Sequence, residues 1–418
     1  MIDVRLAREH PEEFRRALAR KGAAAAFDDL LAVDALWRDL TGKVDELRGR
    51  MRPKGKPTDE QRAALTALGA ELRACEVDLA ALDRRRSELL GALPNPPDDS
   101  VPDGFSDEDA LELRTVGTPP AFSFPPLDHV ELSQRPASSG GDGLARPGFD
   151  LERGARLSGA RFAYRRGAVA LLELALYRYA LDRLVALGFE PVLPPVLVRE
   201  SAMYGTGFLP TEEVNLYQVE SDALYLTGTS EVALAAIHQG EILPADELPL
   251  RYAGYSTCFR REAGAAGRDT RGVFRVHQFD KVEMFFFAHP ERSAEHHEEI
   301  LAIEEDLVAG LGIAYRVVLT AAGDLGPSAA KKFDLEAWIP SQRRYREITS
   351  CSNTTDYQAR RLNVRFRDGD GSLRFPHTLN GTAMTARFLI ALLEANQDEH
   401  GQVWVPEVLR AYGAPERL

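Results

Sequence analysis

The chain has 418 residues, 44% hydrophobic and 28% charged, with a formal net charge of -13. That length suits two or three domains, and the composition is that of an ordinary globular protein. The acidic balance excludes non-specific polyanion binding by the whole surface and leaves room for a local basic patch. Cys75, Cys258 and Cys351 lie far apart and form no C-x-x-C pair. Neither a disulfide framework nor a zinc site is signalled, and no zinc is expected. The opening "MIDVRLAREHPEEFRRAL" is charged throughout, unlike a signal peptide, and no run of about 18 apolar residues follows. A reducing, cytoplasmic setting is expected.

Residues 1–100 read as one domain, built on a helical arm spanning about 28–92. Leu30, Val33, Trp37, Leu40, Val44, Leu47 and Met51 form one stripe; Leu65, Leu68, Leu72, Cys75, Leu79 and Leu82 form a second. Steps of three and four alternate, which is the coiled-coil seam. Between them "RPKGKPTDE" stops the first helix, and Thr58 or Asp59 can cap the second. Two long helices joined by a short turn run antiparallel, reaching about 40 Å at ~1.5 Å per residue. The tip "RGRMRPKGK" carries Arg48, Arg50, Arg52, Lys54 and Lys56 with no acid among them. A solvated charge run is the usual reading of such a cluster; on an acidic protein it also suits phosphate contact.

The linker "PNPPDDSVPDG" leads into residues 101–418. A helix is predicted from 168 to 187, stopped by Gly188, and "FEPVLPPVLV" reads as a proline-broken edge strand. Further strands are predicted at 223–227, 251–259, 273–287, 313–319, 333–339, 345–351 and 372–376, and helices at 230–238, 290–310 and 381–396. Strands follow one another more than they alternate with helices. The fold class is therefore α+β, an antiparallel sheet flanked by helices.

No Walker loop and no G-x-G-x-x-G opening a helix is present, so arginines must hold any nucleotide. "FRREAGAAGRDTRGVFRVHQFDKVE" (259–283) offers them. On a strand, Arg260 and Glu262 would share a face, with Arg275 and Glu283 on the neighbouring strand. Arg forks onto phosphate, and Glu can accept from an exocyclic amine. Arg268 and Arg271 ride on the Gly-bearing loop between. In "LTGTSEVAL", Thr229 and Glu231 read locally as a helix N-cap. "YREITSCSN" supplies Glu347, Thr349 and Ser350, oxygen groups suited to Mg²⁺ with ATP. "TLNGTAMTARFLIALLEANQ" reads as strand end, Gly turn and helix, with Arg387 in the first turns. An arginine there needs an anion or an acid.

Together these stretches resemble a class II aminoacyl-tRNA synthetase, and within that class a bacterial-type seryl-tRNA synthetase, over essentially the full length. The helix with "GFEPVLPPVLV" looks like motif 1, with Pro195 at a dimer interface. The 259–283 stretch is similar to motif 2, and "LNGTAMTARFLIALLE" to motif 3. The resemblance implies a homodimeric ligase that joins L-serine to tRNA through a seryl-adenylate, using ATP and Mg²⁺. It makes residues 101–418 the catalytic domain and residues 1–100 a tRNA-binding domain for tRNA(Ser), with tRNA(Sec) as a further substrate.

Carried over by motif, Arg260 meets the α-phosphate and Arg387 the γ-phosphate, and with Glu262 they form the catalytic set. Arg261, Glu262, Val276, Phe279, Glu347, Ile348, Thr349 and Ser350 complete the ATP site, with Glu347 and Ser350 toward the metal. Thr229, Ser230, Glu231, Arg260, Glu283 and Thr382 take serine. Arg268 and Arg271 meet the acceptor end of the tRNA; Arg48, Arg50, Arg52, Lys54 and Lys56 are assigned to its body by charge rather than by motif. Thr349 and Thr382 stand where the family commonly has serine.

Overall fold

The computed structural model describes residues 1–52, 58–134, 148–263 and 272–418. The chain divides into two compact units, Met1–Pro96 and Pro97–Leu418.

In the first unit, α1 (Ala24–Arg50) and α2 (Asp59–Ala92) pack along the expected seam. Val44, Leu47 and Cys75 are buried against Leu40, Leu68, Leu72 and Leu79. Residue 34 meets 86 and residue 48 meets 76, so the helices run antiparallel. Thr58 caps α2 in a reciprocal box with Gln61, satisfying two N-terminal amides. The stripe is not wholly apolar. Asp34 is 1% exposed, accepting Arg86 Nε at 2.7 Å, Arg38 Nε at 3.2 Å and Arg8 Nη1 at 3.3 Å. The Arg86 guanidinium also lies 4.7 Å from the Trp37 ring centre.

The second unit is built on one eight-stranded sheet. Its strands are β1 (Leu111–Val116), β2 (Glu190–Val192), β3 (Leu250–Phe259), β4 (Gln278–Ala288), β5 (Tyr315–Leu319), β6 (Lys331–Ile339), β7 (Arg344–Asn353) and β8 (His377–Thr385). Across the sheet they run β1-β5-β6-β7-β8-β4-β3-β2. Every neighbouring pair is antiparallel except β2 on β3. Proline confines β2 to the edge, as its missing N–H requires. Leu197–Arg199 leaves for a separate three-stranded sheet with Leu224–Leu226 and Tyr217–Val219.

Helices α3 (Gly167–Ala186), α5 (Ser293–Gly310) and α7 (Ala386–Ala395) share one apolar cluster with the sheet. Short α4 (Glu231–Ala235) and α6 (Tyr357–Leu362) share another with Phe285 and Phe287. Strand β4 shows the division of faces. Val282, Met284 and Phe286 enter the main core; Phe285 and Phe287, one residue out of phase, enter the second. Lys281 and Glu283 continue that second face.

Four readings are corrected. No turn forms at Gly381, which sits inside central strand β8. A Cβ there would fall 2.3 Å from Ile300 Cγ2 and 3.0 Å from Glu304 Oε1, so the glycine lets α5 approach the sheet. Helix α7 starts only at Ala386, where the Thr385 hydroxyl accepts the Arg387 amide. The strand read from 273 begins at Gln278. Finally, β3 ends at Phe259, so Arg260 and Glu262 do not share a strand face. Glu262 adopts φ +50°, a left-handed conformation that turns its side chain by backbone geometry.

Candidate active site

The site forms where β7 and β8 part. Their ladder runs from Asn353↔Leu379 only to Cys351↔Gly381. Beyond that point the register slips on both strands: Ile348 is the extra residue of β7 against β6, and Ala383 that of β8 against β4. Bulges bend strands and re-aim side chains. The Thr349 hydroxyl donates to the Thr382 carbonyl across the gap. A cavity of about 220 Å³ opens there, and a wider one of about 450 Å³ adjoins it, sharing Glu231, Arg260, Glu262, Arg275, Glu347 and Ser350.

Arginines line part of the first cavity. Arg260 Nε donates to the Gly228 carbonyl at 3.0 Å, and its guanidinium stands 5.3 Å from the Phe279 ring centre. Arg275 Nη1 pairs with Glu262 Oε2 at 2.8 Å. Arg387 Nη1 donates to both the carbonyl and the carboxylate of Glu347 at 3.0 Å, and stacks 4.9 Å from Phe274. The Arg387 and Lys332 charges hold the Glu347 carboxyl below its usual range against the opposing effect of burial. Each planar guanidinium keeps further N–H groups for phosphate oxygens.

Another part of the cavity lining is acidic and largely withdrawn from solvent. Glu231 accepts Gln358 Nε2 at 2.7 Å and Asn380 Nδ2 at 3.1 Å, and burial raises its pKa. The Thr229 hydroxyl accepts the Glu231 amide at 3.2 Å. Glu283 is 1% exposed and paired with Lys281; burial pushes its carboxyl up to about 7. Thr382 lies opposite Glu283 in the ladder. The floor thus offers two carboxylates and hydroxyls to a small polar ligand carrying an ammonium group.

Of the residues singled out from sequence, Thr229, Glu231, Arg260, Glu262, Val276, Phe279, Glu283, Glu347, Ile348, Thr349, Ser350, Thr382 and Arg387 line the smaller cavity. Two do not. The Ser230 hydroxyl donates to the Gly254 carbonyl at 3.4 Å beneath α4, because it belongs to the turn that starts that helix. Arg261 donates its amide to the Asn215 carbonyl at 2.9 Å, and its guanidinium lies 6.0 Å from the Tyr217 ring. The break after Phe259 sends alternate residues elsewhere. Arg268, Arg271, Lys54 and Lys56 lie outside the described residues. At the arm tip, Arg48 pairs with Glu76 at 3.0 Å and Arg50 with Glu46 at 3.6 Å, so acids from the helices temper a cluster that holds none in sequence.

Sequence reasoning missed Lys281, Gln358 and Lys332. Lys281 was findable, since two residues before Glu283 on a strand means the same face. Gln358 reaches Glu231 across 127 positions and leaves no local trace.

Comparison with known proteins agrees with this geometry. Residues 215–396 match the family model for the tRNA synthetase class II core domain (G, H, P, S and T), and residues 1–97 match that of the seryl-tRNA synthetase N-terminal domain. A serine–tRNA ligase of Thermobifida fusca is 47% identical over 99% of this chain and 97% of its own length. One from Acidothermus cellulolyticus is 47% identical over 99% and 98%. The crystal structure of seryl-tRNA synthetase from Pyrococcus horikoshii complexed with ATP superposes with a TM-score of 0.91 at 39% identity, covering 100% of this chain and 99% of that one. With an arginine-lined cavity between parted antiparallel strands, and relatives spanning its whole length, this chain belongs to the seryl-tRNA synthetase family of class II aminoacyl-tRNA synthetases, the ATP-dependent serine–tRNA ligases.

Proposed function

We propose that the smaller cavity performs both half-reactions of serine–tRNA ligation with the residues that line it. The observation that carries this is the make-up of one cavity: Arg260 and Arg387 line it together with Glu231 and Glu283. A serine carboxylate oxygen attacks the α-phosphorus of ATP, and pyrophosphate leaves. The tRNA 3′-terminal hydroxyl then attacks the seryl carbonyl, and AMP leaves. No covalent enzyme intermediate is needed, so positioning and charge neutralisation do the work.

The Arg260 charge acts on both Glu283 and Glu347, which suits it to neutralise the α-phosphate as the carboxylate approaches. Phe279 offers its ring to adenine and Glu262 an acceptor for the adenine amine, which requires Glu262 to turn from Arg275. Arg387 meets the γ-phosphate. Glu347 and Ser350 supply the hard oxygen atoms that Mg²⁺ prefers when it arrives with ATP. Glu231 and Thr229 take the serine ammonium; Glu283 accepts the serine hydroxyl, with Thr382 beside it. A pocket built to bond a hydroxyl rejects alanine strongly, because its polar groups would be left unpaired.

The basic arm tip supports tRNA contact by charge. Reading the body of the tRNA rather than its anticodon would admit tRNA(Sec) beside tRNA(Ser). Exposed Leu171 and Leu174 on α3 support a homodimer joined at motif 1. No described helix is long and apolar enough to cross a membrane, in keeping with a cytoplasmic enzyme.

The test is amino-acid-dependent ATP–pyrophosphate exchange with all twenty amino acids in parallel. Exchange with serine alone is expected; no exchange from a folded preparation would overturn the proposal.

A further inference from the structure

Lys281 is a buried cation in the acidic part of the cavity lining, 6% exposed and paired with Glu283 from the same face of β4. Long ammonium side chains normally keep their heads in water, so one sealed in a ligand pocket has a partner that holds it there. That partner is arranged asymmetrically. Glu283 Oε2 is closed off from solvent, while the residue as a whole lines the cavity. One carboxyl oxygen is thereby committed to the interior and the other faces the ligand.

We propose that Lys281 is a positioning residue: its ammonium fixes the Glu283 carboxyl so that one oxygen is presented to the hydroxyl of the amino-acid substrate. The inference rests on the serine-activating function proposed above and deepens it.

The surrounding charges explain why a lysine is needed. Facing Glu283 are Lys281 on its own strand, Glu231 on α4, Arg260 beyond the end of β3, the Cys258 thiol on β3 and Glu304 on α5. Burial and the Glu231 charge both disfavour an ionised Glu283; Lys281 and Arg260 favour it. Of the two cations, only Lys281 is paired with it directly. Arg260 bonds the Gly228 carbonyl and is given over to the α-phosphate of ATP in the function proposed above, so Lys281 is the cation left to the two acids, and the ammonium of the substrate brings a further positive charge. Substrate binding then favours ionisation of both acids and expels the proton that Glu283 partly holds near neutral pH.

The experiment is serine-dependent exchange by the full-length enzyme and its Lys281→Met variant between pH 5.5 and 9, with separate KM values for serine and ATP. In the variant, the acid limb of kcat/KM for serine is expected to move up by about one pH unit or more. The serine KM at pH 7 should rise about tenfold or more, with the ATP KM held within about twofold. An acid limb at the unmodified position, or an ATP KM rising in step with that for serine, would overturn the role of Lys281. Where that variant does not fold, Lys281→Gln is measured in the same way: the same selective rise in the serine KM is expected, and a serine KM within about twofold of that of the unmodified enzyme overturns the role of Lys281. Absence of exchange in the unmodified enzyme is a different failure, removing the reaction itself.

Discussion

Arg387 and Glu304 show what single residues contribute here. Arg387 is held by Glu347 at 3.0 Å, ready to exchange that partner for phosphate. Replacing Arg387 with Ala is expected to lower kcat/KM for ATP in the exchange reaction by about 10²–10³-fold, the scale of one lost charge-stabilising donor. A fall below tenfold would remove it from the machinery. Glu304 lies fully buried on α5 against Gly381, and burial holds its pKa well above the usual carboxylate range. A raised carboxyl contributes its full stability below the unfolded value of 4.5 and loses it as pH rises. Glu304→Gln stays neutral at every pH. Its melting temperature relative to the unmodified protein should therefore increase steadily from pH 5 to pH 9; a constant difference would show that Glu304 is not held neutral. Buried His297 works in the opposite direction. Its pKa is lowered to about 4 by burial, so its stabilising effect is present above pH 6.5 and lost as pH falls toward 4.

At the scale of elements, the helix pair of the first unit carries a charge centre inside an apolar seam. Asp34 gathers Arg8, Arg38 and Arg86. Removing the acid strands arginines that are 20–50% exposed and can turn to water. Asp34→Ala is therefore expected to cost about 2–3 kcal/mol, below the full penalty of an uncompensated buried charge. Hydrogen exchange of α1 and α2 amides in the full chain would register it. At the tip, Arg48 is already paired with Glu76, whereas Arg52 is exposed. An Arg52→Ala change should raise the KM for tRNA severalfold and flatten its salt dependence, with serine-dependent exchange intact. Arg48→Ala alone should do less, because its charge is partly cancelled. Equal effects from both would refute tip-centred phosphate contact.

For the whole molecule, the question is what covers α3. Leu171 is 54% and Leu174 58% exposed on a helix whose other face is buried in the core. With the proposed homodimer, unmodified protein is expected to sediment as a dimer, and paired Leu171→Glu and Leu174→Glu changes are expected to make it sediment as a monomer and to suppress exchange. A dimer that persists would place the partner elsewhere.

Much of this protein could be read from its residues in order. Seam periodicity gave the antiparallel helices, because a 3.5-residue repeat buries a narrow stripe wherever it occurs. Prolines placed β2 at an edge, because they cannot donate to a ladder. Charged side chains in one short segment marked Arg260, Glu262 and Glu283 as a cluster. Local pattern misread Gly381 as a turn, since glycine signals close approach as readily as reversal, and only α5 lying on β8 distinguishes them. The bulges at Ile348 and Ala383, the parting of β7 from β8 and the reach of Gln358 to Glu231 belong to the tertiary structure alone. Each depends on register or contact between segments far apart in the chain. Local sequence determines which side chains a segment can offer; the fold decides which of them meet.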